Sequence, residues 1–213
     1  MDNKHIIAKR IAKEFNNGDV VNLGIGVPNF IPLYTKDKEI YFQGDNGVLG
    51  LCGFQEDEVS EPYHQNAGGQ FVKIEPYGCF FDACMSFDMI GGGHIDYTVL
   101  GALQVDSEGN IANWIIPGKF IPGMGGAMDL CTGCKKVFVA MEHTAKGKPK
   151  LVDKCTMPLT ATKCVDMIFT EMCVIKVTNE GLLVTEIREG LTPKDVQNAT
   201  DATLIFDKNF TTF

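Results

Sequence analysis

Apolar positions recur along the chain with two periods. Ile6, Ile7, Ala8, Ile11 and Phe15 keep close to helical spacing, so a helix is expected from a cap at Asp2 to about Asn17, ended by Gly18. Val20–Leu23 follows as a buried strand that runs into Gly24-Ile-Gly26-Val-Pro28, where a short helix starts at Pro28. Strand, glycine turn and helix in succession are the grammar of an open α/β sheet, whose ligands sit at the carboxyl ends of its strands. The next strand, Ile40–Gln43, meets a Gly44-Asp45-Asn46-Gly47 turn, and the apolar run Val48–Leu51 follows at once. Asp45 is thereby placed at a strand tip, flanked by glycines that leave room for a ligand. The same residues are also ordinary turn chemistry, and the turn reading stands beside the functional one.

Residues 55–69, with Glu56, Asp57, Glu58, Glu61, His64 and Gly68-Gly69, read as a polar surface loop. Phe71–Ile74 predicts a strand, and Cys84–Ile90 a helix stopped by Gly91-Gly92-Gly93. Further strands are expected over Ile95–Leu100, Leu103–Val105, Ile111–Ile116 beyond the Ser107–Asn110 turn, and Lys136–Ala140. The segment 117–127, which includes Lys119, is the most glycine-dense and leads into a helix over Ala127–Thr132 with Gly133 as its stop. Val165–Thr170 and Cys173–Val177 read as strands. Leu182–Ile187 pairs back across Asn179–Gly181 as a hairpin. Thr192-Pro193 with Asp195 starts a last helix, and Thr203–Phe206 ends the pattern with a short strand. No repeat, low-complexity run or linker interrupts it, so residues 1–213 are expected to form one domain.

Composition narrows the function. With 45% hydrophobic and 22% charged residues the chain suits a packed core, and its net charge of −8 argues against a non-specific nucleic-acid or anionic-membrane surface. No apolar run approaches the roughly 20 residues of a spanning helix, and Met1–His5 opens a polar helix rather than a signal-peptide core. Eight scattered cysteines without a secretion signal point to reduced thiols in the cytoplasm. Cys131-Thr-Gly-Cys134 lacks the second ligand pair of a structural zinc site, so no metal is expected there.

The 23 glycines cluster in loops after strands, at Gly24–Pro28, Gly44–Gly50 and Gly118–Gly126, where backbone N–H groups can approach a ligand closely. Gly24-x-Gly26 lacks the third glycine of the dinucleotide fingerprint, so a nicotinamide cofactor is not expected. His94 and His143 suit hydrogen-bonded structural roles better than that of a base, and no Gly-x-Ser-x-Gly nucleophile elbow is present.

Ten segments in order carry a family likeness. They are Asn22–Pro28, Gly44–Gly50, Gly92–Asp96, Leu100–Val105, Ala112–Trp114, Ile116–Lys119, Gly123–Asp129, Met141–Lys146, Lys154–Leu159 and Glu189–Thr192. Together they resemble the family I coenzyme A transferases, and within these the β (B) subunit of the 3-oxoacid, acetoacetate/butyrate/acetate type. The resemblance implies an open mixed, largely parallel sheet flanked by helices, an architecture related to that of ribose-phosphate isomerase. It also implies transfer of coenzyme A between a short-chain acyl-CoA and a carboxylic acid through an enzyme anhydride and an enzyme–CoA thioester. Asp45 takes the nucleophile position. Gly24 and Gly26 are implied near the acyl site, Asn46 and Gly47 beside the nucleophile, and Gly123, Gly125, Gly126 and Ala127 in the CoA-facing loop. The resemblance implies no cofactor beyond coenzyme A as substrate, and an α subunit as partner in an α₂β₂-type assembly.

The chain departs from the family at the turn itself. The family pattern is Ser-Glu-Asn-Gly, and here it is Gly44-Asp45-Asn46-Gly47. The carboxylate stem is one C–C bond shorter, about 1.5 Å. Asp45 is then a natural variant whose backbone compensates, or an engineered or impaired nucleophile in a subunit that binds coenzyme A and partner but turns over poorly. The second change, at Gly44, favours natural divergence.

Overall fold

The computed structural model describes residues 2–55, 61–118 and 123–213. Glu56, Asp57 and Glu58 of the polar stretch, and Lys119 with residues 120–122 of the glycine-dense segment, lie outside the described residues. Helix α1 (Asn3–Ile11) tightens into a 3-10 turn (Ala12–Glu14) before β1 (Val20–Leu23). A 3-10 helix over Val27–Tyr34 leads to β2 (Tyr41–Gly44), β3 (Val48–Phe54) and β4 (Val72–Phe80). Then come α2 (Ala83–Gly91), β5 (Tyr97–Leu100), β6 (Gln104–Asp106), β7 (Ile111–Ala112), α3 (Ala127–Gly133) and β8 (Lys136–Ala140). After these follow β9 (Thr144–Ala145), β10 (Lys148–Pro149), β11 (Leu151–Val152), β12 (Met167–Phe169) and β13 (Cys173–Thr178). The order closes with β14 (Gly181–Ile187), α4 (Pro193–Asn198) and β15 (Leu204–Thr212).

Among the described residues, ten strands form one sheet in the order β15-β14-β13-β12-β8-β5-β1-β2-β3-β4. The run from β12 through β8, β5 and β1 to β2 is parallel, and antiparallel strands extend it on both sides. The expected mixed, largely parallel sheet is what the chain builds. Parallel strands need cover on both faces, and side-chain alternation supplies it. On β8, Val137 and Val139 join the core beneath α2, α3 and α4, whereas Phe138 and Ala140 face the core beneath α1. The outermost strands are β4 and β15. The β3–β4 ladder shifts register twice, the β14–β15 ladder once, and Pro76 sits within β4.

Several boundaries differ from the expected ones, and for some the cause is visible. Helix α1 stops at Ile11 because Phe15 leaves the helix to pack edge-on against Tyr97, while the Lys38 ammonium binds the freed carbonyls of Ala12 at 3.0 Å and Phe15 at 2.6 Å. The extended piece at Ile111 ends at Ala112, because Asn113 turns away to donate to the Gly101 carbonyl at 3.2 Å. Strands β4 and β15 run further than expected, and each continues past a register shift. No helix among the described residues is long and apolar enough to cross a membrane.

His143, just beyond β8, is 0% exposed and takes the structural role expected of it. Its Nδ1 lies 3.0 Å from the Thr170 hydroxyl and its Nε2 2.8 Å from the Thr200 hydroxyl. Thr200 also donates to the Val196 carbonyl at 2.8 Å and Thr170 to the Cys173 carbonyl at 3.2 Å, so the ring is fastened from both sides. Burial lowers the imidazole from 6.5 to about 4, so the folded chain holds it neutral. A depressed imidazole stabilises the fold fully above its unfolded value, and that contribution is lost as pH falls toward 4. Between pH 7 and pH 5 the unfolding free energy should therefore fall by about 2 kcal/mol more than in His143→Gln. Denaturant titrations at the two pH values check this, and equal slopes would remove His143 as the cause.

Candidate functional site

Three buried polar side chains cross the parallel strands beneath the tip of β2. Thr98 of β5 donates to Asn22 Oδ1 at 3.0 Å, and Asn22 of β1 donates to Gln43 Oε1 of β2 at 2.6 Å. Gln43 in turn donates to Ser86 Oγ of α2 at 2.8 Å, and all four residues are 0% exposed. The relay fixes the register of β2 against β1 and β5 and ties β2 to α2. Asp45 stands two residues beyond Gln43.

The turn is a three-residue hairpin loop. The Gly47 N–H reaches the Gly44 carbonyl at 3.0 Å, Gly44 pairs with Val48, and Gly47 has φ 104°. Gly47 is also pressed against the start of α2. Its carbonyl accepts from Phe81 N–H at 3.0 Å, and a Cβ on it would lie 2.1 Å from the Phe81 oxygen. The next residue, Asp82, caps α2 by accepting from Met85 N–H at 2.9 Å. Nucleophile turn and helix are thus one buttressed unit. At Gly44, a Cβ would lie 2.6 Å from Asn46 Oδ1. The Asn46 side chain folds into that space and donates to the Gln65 carbonyl at 2.9 Å, so loss of a serine side chain at 44 belongs to this turn's packing.

A cleft of about 810 Å³ opens at the carboxyl ends of β1, β2 and β5. These strands surround the point where successive connections leave on opposite faces, the usual place for a ligand in such sheets. Asp45, Asn46, Gly24, Gly123, Gly125, Gly126 and Ala127 all line it. Gly26 and Gly47 do not. Gly26 is exposed at the start of the 3-10 helix with φ 96°, and Gly47 is buried under the turn as its spacer. The sequence reading missed the apolar wall of the cleft, which includes Ile25, Phe87, Leu100 and Leu130, and its polar contributor Asn113. Asn22, an amide inside the apolar run Val20–Leu23, also lines the cleft and was the one polar residue out of place in its strand.

Among the described lining residues, Asp45 carries the one charge. Burial pushes its carboxyl above the usual aspartate range, while N–H groups of Asp45 itself, Asn46 and Gly126 donate to it and pull the other way. Gly126 approaches so closely that a Cβ on it would lie 2.7 Å from Asp45 Oδ2. The short carboxylate therefore already reaches the loop before α3. A desolvated carboxylate held by amides, in a cleft walled by apolar side chains, can attack an electrophilic carbonyl. The C-x-x-C thiols serve no such purpose here. Cys131 is pushed well up by its hydrogen bond with Cys164 and by burial, and Cys134 is pushed up to about 12 by burial.

The coenzyme A transferase family model matches residues 4–199. The β subunit of acetate CoA-transferase from Haemophilus influenzae is 52% identical over 174 residues, covering 81% of this chain and 78% of that one. A probable coenzyme A transferase β subunit from Bacillus subtilis is 46% identical over 206 residues, covering 96% and 95%. The structure of an acyl-CoA transferase from Escherichia coli O157:H7 superimposes with a TM-score of 0.78 at 21% identity, which speaks for the fold alone. It covers 100% of this chain, which spans 43% of that longer one.

Gly47→Ala places a methyl group on the Phe81 carbonyl in a backbone conformation that disfavours it. We expect a loss of about 3 kcal/mol, or roughly 6–12 °C in Tm. Gly91→Ala, with nothing within 4 Å of the added atom, should stay within about 1 kcal/mol. Thermal unfolding of both variants checks this.

Proposed function

The chain belongs to the coenzyme A transferase family, and on that premise we propose that it is the catalytic β subunit of an enzyme moving coenzyme A between a short-chain acyl-CoA and a carboxylic acid. The observation that carries the reading is the Asp45 carboxylate, half-buried at the mouth of the strand ends with the backbone of Gly126 packed against it.

The chemistry runs in four balanced steps. The Asp45 carboxylate attacks the thioester carbonyl, the C–S bond breaks, CoA thiolate leaves, and a mixed anhydride remains. The thiolate then attacks the carbonyl carbon of Asp45 within that anhydride. The acyl group departs as a carboxylate, and an Asp45–CoA thioester stays behind. An incoming carboxylate attacks this thioester, and the same two steps run in reverse. In the second step negative charge develops on an oxygen of Asp45 itself. The N–H groups of Asn46 and Gly126 already favour the charged form of that carboxyl group, so they suit stabilising the charge. The cleft's apolar wall supports the reading further, since desolvation strengthens a weak nucleophile. Acetoacetate, butyrate and acetate are the proposed acid class, and coenzyme A is a substrate rather than a resident cofactor. The two β-subunit relatives support an α subunit as partner, in an α₂β₂ assembly that we place in the cytoplasm. Asp45 acts here as a native nucleophile, its turn shaped by Gly44 and Asn46.

When the complex with its α subunit is incubated with acetoacetyl-CoA, the intact β chain should gain one CoA-sized adduct on the peptide containing residue 45. Transfer activity surviving Asp45→Ala would sink the assignment. Gly126→Ala supplies a cleaner perturbation, because residue 126 has φ −80° and tolerates a side chain. Its methyl group falls on the carboxylate oxygen and on the Phe87 ring, so kcat/KM should drop at least about 100-fold while Tm falls by no more than a few degrees. Steady-state kinetics beside a melting curve separate this from simple misfolding.

A further inference from the structure

Helix α2 presents two residues to the cleft one turn apart, Ala83 and Phe87. The Phe87 ring and the Asp45 carboxylate meet across the space of one absent methyl group. A Cβ on Gly126 would lie 2.7 Å from Asp45 Oδ2 and 2.9 Å from Phe87 Cζ. The ring is backed by the core around Ile90, Leu130 and Cys131. Helices α2 and α3 touch closely behind it, since a Cβ on Gly133 would lie 2.5 Å from the Ile90 carbonyl. A shift of α2 that drew the ring away would also strain the hydrogen bond that Ser86, the preceding residue, accepts from Gln43 at 2.8 Å. An acyl carbon bonded to Asp45 therefore begins its chain beside this ring.

We infer that Phe87 sets the acyl-chain length the site accepts, its ring filling the apolar recess between α2 and α3 where a longer chain would lie. The inference rests on the transferase reading above and deepens it. Neither the turn chemistry nor the amide contacts require an aromatic side chain at 87; a size limit does. Ala83 and Leu130 line the same cleft as Phe87, so shortening the side chain would enlarge it between them. Each further methylene that the recess buries is worth roughly fourfold in binding.

The test uses the complex with its α subunit, acetoacetate as the common acceptor, and acetyl-CoA or hexanoyl-CoA as donor. The readout is the ratio of kcat/KM for hexanoyl-CoA to that for acetyl-CoA. Phe87→Leu and Phe87→Ala should raise the ratio, the alanine variant by about tenfold or more. Phe87→Trp should lower it. A ratio unchanged in the leucine and alanine variants, or activity lost alike for both donors, overturns the inference while leaving the transferase reading intact. Wild-type complex that transfers coenzyme A from neither donor overturns the transferase reading itself, and this inference with it.

Discussion

A carboxylate on a hairpin tip is only as well placed as the strand beneath it. Strand β2 is held by the buried relay from Thr98 through Asn22 and Gln43 to Ser86, which runs across three parallel strands and into α2. A slip of one residue would turn Gln43 to the other face and leave buried amides without partners, at roughly 1–3 kcal/mol for each group. The apolar core alone does not specify register so sharply, since Val, Leu and Phe side chains exchange places at modest cost. The two cleft residues nearest the relay take their position from these three hydrogen bonds. Asp45 follows Gln43 by two residues, and Phe87 follows Ser86 by one.

Around the relay the site is shaped by side chains that are missing. Gly126 leaves room for the Asp45 carboxylate and the Phe87 ring to share a wall, and Gly47 leaves room for the Phe81 carbonyl. Two opposed influences then act on the carboxyl group. Burial favours its neutral form, and three amides favour its charged form. The balance holds the carboxylate oriented without burying it as an unpaired charge, whose desolvation would be far more costly.

Much of the frame was legible in the residues. The strand–glycine–helix succession gave the order of elements, and the run Lys136–Ala140 matched its strand at both ends. Asp45 and most of the glycines beside it were found because turns and loops are written in local chemistry. What escaped was set at a distance. Phe15 leaves its helix for Tyr97, a residue far off in the sequence on β5. Phe87 looks like any apolar residue of an amphipathic helix until α2 is packed beside β2. Gly26 and Gly47 carry the same letters as the cleft glycines, yet one starts a 3-10 helix and the other spaces a turn, a distinction only the backbone path draws.

The two outer strands of the sheet carry a consequence for how the molecule coexists with copies of itself. A long exposed strand edge is a template on which further chains can stack into fibres. Strand β4 ends that possibility locally. Pro76 has no N–H to offer, and the two register shifts against β3 bend the edge out of a straight ladder. At the opposite margin β15 bears Asp207 and Lys208 and is itself interrupted by a shift. The ten described strands of the sheet therefore present irregular rather than straight margins to an eleventh.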